Sequence, residues 1–340
     1  MGQLRFPPSP ENILEVRELS VSFRTEEGVL RAVDNLSLDI RRGEVLGLVG
    51  ESGCGKTVTA MSLLRLIPQP PGQIETGHVW YDGKDLLALP SEELRTIRGK
   101  DISMIFQEPM TALSPLHRIG KQLVETQQLH LAIGKEEAWR NGVDWLGRVG
   151  ISDPEERMLA YPHQLSGGMR QRVMIAMALI LEPKLIIADE PTTALDVTIQ
   201  AQILQLLLAM KDKDTSVLLI THDMGIVWET CDRLAVMYAA EIVEQGPVDA
   251  LFSRPAHPYT QALLRSIPAL AGGRTRLETI AGSVPTLYNL PGGCRFRNRC
   301  RFAEPVCAEK HPMLESLGQH RHSRCLLARE VMHSGKGGEG

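Results

Sequence analysis

A glycine-rich octapeptide constrains the fold of this chain more than any other segment. Residues 50–57 read Gly-Glu-Ser-Gly-Cys-Gly-Lys-Thr, the pattern GxxxxGK[ST] of a phosphate-binding loop. The glycines of such a loop let backbone N–H groups converge on phosphate oxygens, while its lysine reaches the β- and γ-phosphates and its hydroxyl binds Mg²⁺. The residues predicted to contact a nucleotide here are Gly50, Ser52, Gly53, Gly55, Lys56 and Thr57.

The segments on either side of the octapeptide provide the context that the motif needs. Residues 45–49 form a short apolar run that predicts a strand, and residues 57–66 predict a helix. Because a strand, a glycine loop and a helix must follow one another in this motif, the sequence predicts an α/β nucleotide-binding core.

A carboxylate pair further along the chain predicts nucleotide hydrolysis. Residues 185–188 are apolar on both faces, as in a central parallel strand, and they end at Asp189 and Glu190. Open α/β sheets bind their ligands at this end of their strands. Asp189 is suited to hold Mg²⁺ through water, and Glu190 is suited to deprotonate the attacking water. The alternative reading, an ordinary solvated loop start, is less consistent with a preceding phosphate loop.

A second glycine motif identifies a family. Residues 165–169 read Leu-Ser-Gly-Gly-Met and open a predicted helix at 169–181. With this segment the chain resembles the ATP-binding subunits of ABC transporters over residues 12–265. The resemblance implies that Ser166 and Gly168, at a helix N-terminus, bind the γ-phosphate of a nucleotide held by a partner subunit. An active site split between two chains implies that an isolated chain hydrolyses ATP poorly.

Four further positions match this family in order along the chain. The resemblance assigns Gln107 to Mg²⁺, the attacking water and coupling to the membrane partner, and His222 to the γ-phosphate. It assigns Phe23 to stacking on adenine and Asp196 to a loop that crosses the dimer interface. The alternatives are a core position for Phe23 and a surface position for His222.

Composition narrows the class of protein. The formal net charge is -4, so the chain has no general basic surface for nucleic acid. No apolar stretch approaches the roughly 20 residues that span a bilayer, and the N-terminus lacks the apolar core of a signal peptide. We therefore expect a cytosolic protein that reaches the membrane, at its cytoplasmic face, only through a partner.

The expected fold is an α/β P-loop ABC ATPase core, with a mixed or parallel sheet flanked by helices. Residues 12–88 alternate short β patterns with turns and predict an antiparallel subdomain. Residues from about 91 to 170 predict a helical subdomain, whose groove in this family receives a helix of the membrane subunit. The predicted domains are an ATPase domain (12–265), a small cysteine-rich extension (266–330) and a flexible tail (331–340).

The cysteine-rich extension narrows the family further. Residues 291–325 carry the pattern Pro-Gly-Gly-Cys-Arg-Phe…Arg-Cys…Cys…His…Cys, which resembles the C-terminal extension of dipeptide, oligopeptide and nickel importer ATPases. This resemblance implies an importer with two transmembrane permease subunits, an extracytoplasmic substrate-binding protein and a second, related ATPase, although a homodimer is an alternative.

Four cysteines lie in this extension, at Cys294, Cys300, Cys307 and Cys325. Disulfides are unfavourable in a reducing compartment, and four thiolates suit zinc or an iron–sulfur cluster. Unmetallated buried thiols are the third possibility. The resemblance favours a [4Fe–4S] cluster with a structural or regulatory role, and a solvated tail is the default for the nearby His311, His320 and His322.

Two classes of function are compatible with an ABC-type ATPase. The first is the energising, ATP-hydrolysing subunit of an importer for di- or oligopeptides, nickel chelates, glutathione or peptide antibiotics. The second is a soluble ABC ATPase of DNA repair or translation. The single ATPase unit, the lack of a long coiled-coil insertion and the importer-type extension favour the first class.

Overall fold

The structure of the chain is a computed structural model that describes residues 9–108, 112–191, 197–266 and 280–334. The strands, numbered along the chain, are β1 (Asn12–Thr25), β2 (Gly28–Arg41), β3 (Val45–Val49), β4 (Gly72–Tyr81), β5 (Lys84–Asp85), β6 (Ile102–Ile105), β7 (Leu185–Asp189), β8 (Ser216–Ile220), β9 (Arg233–Tyr238), β10 (Glu241–Pro247), β11 (Glu315–Gly318) and β12 (Arg321–Ser323).

The helices, numbered in the same way, are α1 (Lys56–Leu63), α2 (Ser91–Ile97), α3 (Ile119–Gln128), α4 (Lys135–Arg148), α5 (Pro154–Leu159), α6 (Gly167–Leu179), α7 (Val197–Met210), α8 (Met224–Thr230), α9 (Val248–Ser253), α10 (Pro258–Arg265), α11 (Val306–Glu309) and α12 (Ala328–Ser334). Short 3-10 turns cover Pro162–Gln164 and Arg297–Arg299. The described residues before 89 and after 220 form one compact unit, and those from 89 to 220 form a second.

The first unit contains an antiparallel sheet with the strand order β2-β1-β4-β5. The strand β1 lies between its neighbours, so Leu14 pairs with Ile40 on one side and with Tyr81 on the other. Apolar residues of β1 such as Leu14, Val16 and Leu19 are fully or almost fully buried. This sheet is the antiparallel subdomain that the sequence predicts for residues 12–88.

The first unit also contains the strand that leads into the phosphate loop. All residues of β3 are buried, and β3 runs parallel to β9, as expected for a central strand. The strands β10, β12 and β11 follow β9 in antiparallel order. Tyr238, the last residue of β9, packs with Tyr259 and Phe296, and the ring centroids lie 4.7–5.4 Å apart.

The second unit combines parallel strands with helices. The strand β7 lies between β6 and β8, is parallel to both, and all of its residues are buried. The helix α6 begins at Gly167 because the Ser166 hydroxyl accepts a hydrogen bond from the Met169 N–H at its first turn. The helices α3, α4 and α5 pack against one another in the region predicted to be helical.

Within the described ranges, every helix is too short or too polar to cross a lipid bilayer.

Candidate functional site

The phosphate loop (residues 50–57) lies between the end of β3 at Val49 and the start of α1 at Lys56. The Lys56 side chain is 5% exposed and its Nζ donates to the carbonyls of Gly50, at 2.9 Å, and Glu51, at 3.3 Å. The ammonium group therefore lies over the loop, where the motif requires a lysine to meet phosphate oxygens.

Gly53 and Gly55 of the loop have left-handed backbone conformations that other residues rarely adopt. Gly55 has a φ of +110°, and a Cβ at this position would lie 2.2 Å from the Ala32 carbonyl oxygen. Gly53 has a φ of +78°, but a Cβ here would have no heavy atom within 4 Å. Gly55 is thus required for space and for conformation, and Gly53 for conformation alone.

The remaining loop side chains differ in exposure. Ser52 is exposed and Thr57 is half-buried in the first turn of α1, so both hydroxyls are placed at the loop surface. The Cys54 side chain is fully buried, and burial raises the pKa of its thiol to about 11. This cysteine is protonated at neutral pH and packs as a small apolar side chain.

Two residues distant in sequence hold the loop at Glu51, and the sequence analysis did not identify either of them. The Glu51 N–H donates to the Tyr259 hydroxyl at 2.9 Å. The Glu51 carboxylate accepts from both terminal nitrogens of Arg299, at 2.7 and 3.0 Å. The motif gives no signal for these contacts, because its pattern leaves position 51 open to any residue.

His222 follows β8 and lies beside the strand that leads to the phosphate loop. The neighbouring Thr221 donates its N–H to the Leu48 carbonyl in β3 at 3.3 Å. The next residue, Asp223, caps α8 by accepting from the N–H groups of Gly225 and Ile226. The imidazole of His222 is exposed at this end of β3.

Phe23 lies near the end of β1 and pairs with Gly72 in β4. A Cβ on Gly72 would be 3.0 Å from the Phe23 ring, so the ring packs directly on the glycine backbone. The side chain is half-buried, which leaves part of the ring accessible.

In the second unit, Asp189 and Glu190 follow β7 as predicted. Asp189 is 1% exposed, whereas Glu190 is half-buried. Glu190 has a φ of +42°, an uncommon conformation for a non-glycine residue, and its N–H donates to the Ile220 carbonyl at 3.0 Å. The Gln107 Nε2 donates to the Glu190 carboxylate at 3.3 Å, so the structure brings these two predicted residues together.

The predicted signature segment begins α6 in the same unit. Ser166 is exposed and caps the helix, and a Cβ on Gly168 would have no heavy atom within 4 Å. Further along the helix, the Gln171 side chain donates to the carbonyl of Pro191, directly after Glu190. Asp196, the predicted interface residue, lies outside the described residues.

The four cysteines of the extension line one narrow cavity in the first unit. They share it with apolar and basic residues that include His257, Phe296 and Leu326. Burial, and in second place the other thiols of the group, raises the pKa of Cys325 to about 12. Burial also raises the pKa of Cys300 to about 11, with contributions from Cys294 and Cys307. The four thiols therefore line the same cavity, and those of Cys300 and Cys325 are protonated at neutral pH.

The metal-binding prediction is not confirmed by this geometry. Among the residues that the structure describes, no group of three or more His, Cys, Asp or Glu side chains is arranged to hold a metal ion. His311 instead bonds the Glu241 carboxylate at 2.8 Å and the Gly293 carbonyl at 3.0 Å.

Comparison with protein families matches two parts of the chain. The family described as ABC transporter matches residues 33–193, which include the phosphate loop and the signature segment. The family described as oligopeptide/dipeptide transporter, C-terminal region, matches residues 243–307.

Relatives and solved structures agree with these matches. The chain is 50% identical to the probable peptide ABC transporter ATP-binding protein y4tR of Sinorhizobium fredii, over 96% of this chain and 98% of that protein. It is 49% identical to the oligopeptide transport ATP-binding protein OppD of Bacillus subtilis, over 93% of this chain and 88% of that protein.

A dimeric structure of an ATP-binding cassette in a post-hydrolysis state with ADP and Pi superposes with a TM-score of 0.62 at 26% identity. The superposition covers 69% of this chain and 98% of the chain in that structure. The predicted ABC ATPase fold and the predicted ATPase activity coupled to transport are thereby confirmed. The chain belongs to the family of ATP-binding subunits of ABC transporters and carries the C-terminal region of its oligopeptide/dipeptide branch.

Proposed function

We propose that the chain is the energy-coupling ATPase of an importer for di- or oligopeptides or for related cargo, such as nickel chelates, glutathione or peptide antibiotics. The observation that carries this proposal is the match of residues 243–307 to the oligopeptide/dipeptide transporter C-terminal region. Relatives named for peptide and dipeptide transport, aligned over more than nine-tenths of this chain, support it. ATP binding closes the ATPase dimer, and hydrolysis resets it.

The proposed partners are two transmembrane permease subunits and a second, related ATPase, with a second copy of this chain as the alternative. A substrate-binding protein acts on the far side of the membrane, and nucleic acid has no part. The chain then lies peripherally at the cytoplasmic face of the membrane. A groove of about 630 Å³ in the second unit supports permease docking; its apolar lining includes Val124, Leu129, Trp139, Met158 and Leu159.

Co-purification of the tagged full-length chain in a gentle detergent tests this assignment. We expect two polytopic membrane proteins and a second ATPase to elute with it, and not from an untagged strain. A permease complex reconstituted with its binding protein then shows ATP hydrolysis that peptide cargo stimulates. Recovery of only repair proteins or ribosomes would overturn the transport assignment while leaving the ATPase chemistry in place.

We propose the following division of labour in ATP hydrolysis. Lys56 and the loop N–H groups bind the phosphates, and Phe23 stacks on adenine. Thr57, Asp189 and Gln107 are the residues that would hold Mg²⁺, which supplies charge neutralisation at the phosphates. Glu190 is the base that deprotonates the attacking water, and His222 contacts the γ-phosphate. Ser166, Gly168 and Asp196 make the contacts with the site of the partner subunit.

Glu190→Gln tests the role of the proposed base. We expect ATP binding to be retained and turnover in the assembled complex to fall by about 10²- to 10⁴-fold, because the amide accepts no proton from water. Glu182→Gln, at an exposed carboxylate of the same unit, is the matched control and should keep full turnover. Unchanged turnover of Glu190→Gln would remove this residue from the role.

We propose that residues 12–265 form the ATPase domain, with a helical subdomain at about 91–170. The extension would cover 266–330 and the flexible tail 331–340, although the structure continues the helix α12 through Ser334 and buries Val331. Limited proteolysis with mass spectrometry of the fragments tests these limits. Cleavage first within 331–340 is the expected result, and first cleavage inside β9 or β10 would contradict it.

We propose that Cys294, Cys300, Cys307 and Cys325 bind a [4Fe–4S] cluster with a structural role. Their convergence on one cavity supports this, because four cysteine thiolates would hold such a cluster. Raised thiol pKa values mean that loading displaces protons. Protein purified anaerobically should contain iron and acid-labile sulfide; absence of both, in folded protein, would overturn the assignment.

A further inference from the structure

Glu51 is held at each of its polar groups, although it occupies a variable position of the phosphate loop. Its N–H donates to the Tyr259 hydroxyl at 2.9 Å, and its carbonyl accepts from the Lys56 Nζ and the Cys54 N–H, both at 3.3 Å. Its carboxylate accepts both terminal nitrogens of Arg299. A residue that only filled a turn would not need this number of partners.

Contacts other than the one with Glu51 hold the Arg299 side chain in place. Its side chain is 4% exposed, and its Nε donates to the Ala281 carbonyl at 3.0 Å. The guanidinium also lies 5.8 Å from the ring centroid of Tyr238 and 6.0 Å from that of Phe296. Because a planar guanidinium binds a carboxylate through two parallel hydrogen bonds, this packing sets the orientation of the Glu51 side chain.

The negative charge of the Glu51 carboxylate opposes the binding of phosphates in the loop. It stands between Gly50 and Gly53, in a segment that binds the most highly charged part of ATP. An uncompensated carboxylate there repels the phosphates, since like charges at short range oppose each other strongly where water is partly excluded. Arg299 supplies the compensating charge from a position 248 residues away in sequence.

We propose that Arg299 is a positioning residue for ATP, which acts by neutralising and orienting Glu51 in the phosphate loop. The inference rests on the assignment of this loop to the nucleotide phosphates. It gives the extension a part in nucleotide affinity, because Arg299 directly precedes Cys300 and ends the 3-10 turn that enters the cysteine cavity. Tyr259 completes the support from the backbone side.

Arg299→Gln in the full-length chain is the primary test, with binding of a fluorescent ATP analogue and steady-state turnover as readouts. We expect the Kd and KM for ATP to rise about tenfold, a loss comparable to one charge-assisted hydrogen-bond pair, while kcat changes less than about threefold. The deficit should shrink as salt is added, because the repulsion from Glu51 is screened. Arg299→Lys keeps the positive charge but not the two parallel hydrogen bonds. Its Kd for ATP should therefore lie between those of the parent chain and Arg299→Gln.

Rescue by a second substitution separates this role from a structural one. Glu51→Gln removes the repelling charge, so Glu51→Gln/Arg299→Gln should bind ATP within about threefold of the parent chain. Arg295→Gln is the matched control. Arg295 directly follows Cys294 and also pairs with carboxylates, but its partners Asp34 in β2 and Glu241 in β10 lie outside the phosphate loop. Its substitution should leave ATP affinity unchanged.

The outcomes are distinct. Folded Arg299→Gln that binds ATP normally, or a double variant that binds no better than Arg299→Gln, would overturn the inference. If Arg299→Gln does not fold, Arg299→Lys and the same lysine variant with Glu51→Gln decide by the same comparison. Lys56→Ala serves as the reference for the loop itself: if it binds ATP as the parent does, the assignment of the loop to phosphates fails, and the inference falls with it.

Discussion

The phosphate loop and the cysteine cavity lie in the same unit but are built in opposite ways. The loop is made of backbone groups from consecutive residues, with Lys56 folded over its carbonyls. The cavity is made of side chains from four positions between Cys294 and Cys325, brought together by turns, a short helix and a strand pair. A contiguous backbone site depends on local conformation, whereas a dispersed side-chain site depends on the packing of everything around it.

Substitution of loop glycines offers the strongest test of the backbone side of this comparison. We expect Gly55→Ala to destabilise the protein by about 2–4 kcal/mol and to abolish ATP binding, because its Cβ would overlap the Ala32 carbonyl. The matched control Gly53→Ala meets no atom and should cost about 1 kcal/mol through its φ alone. Urea unfolding and ATP titration measure both, and equal effects would contradict a steric requirement at Gly55.

Removal of one thiol tests the side-chain region. On the proposed cluster assignment, we expect anaerobically purified Cys300→Ser to contain less iron than the parent chain. Its free energy of unfolding should fall by about 2 kcal/mol, since a group bound only by the folded state stabilises it. The affinity for ATP should fall a few-fold as well, because Arg299 is the preceding residue. Cys231→Ser, at a half-buried cysteine outside the extension, should keep the iron content of the parent chain. Normal iron content in Cys300→Ser would exclude it as a ligand.

Stacking of Phe23 on adenine is the side-chain contribution that we propose at the nucleotide site. Replacing Phe23 by Ala should weaken ATP binding about fivefold, which is near the lower end of base–aromatic stacking energies. Replacement by Trp should preserve affinity, because it keeps a ring over Gly72. If Phe23→Ala binds GTP and ATP as tightly as the parent chain, Phe23 is a core residue only.

Loss of the hydrogen bond between His311 and Glu241 should give the smallest effect on stability. The hydrogen bond to the Glu241 carboxylate raises the pKa of His311 above its ordinary value of 6.5. Stability from this pair is therefore fully present below pH 6.5 and is lost as pH rises through the folded-state pKa. The side chain is 40% exposed, so screening limits the effect to less than about 0.5 kcal/mol. His311→Gln should flatten the slope of unfolding free energy between pH 6 and 8; an unchanged slope would assign it elsewhere.

The difference between the two regions also explains what the sequence could predict. The phosphate loop, the strand before Asp189 and Glu190, and the capped helix at Ser166 were predicted because each is specified by neighbouring residues. A role for Gln107 at the nucleotide was expected only through family resemblance, and its hydrogen bond to Glu190 was not predicted. The pairing of Arg299 with Glu51 had no local signal, since no spacing rule links positions so far apart. The roles of the site residues remain predictions.

The strand pair at the end of the extension has a consequence for how the chain behaves in solution. The strand β12 covers β10 through Glu244 and Gln245, whose neighbours in β10 are buried, and β11 then lies outermost with mostly exposed residues. In a chain truncated before residue 311, β10 would be an edge strand whose outer backbone groups are free to pair with a second molecule. We therefore expect chains truncated before residue 311 to self-associate more readily than the full-length chain.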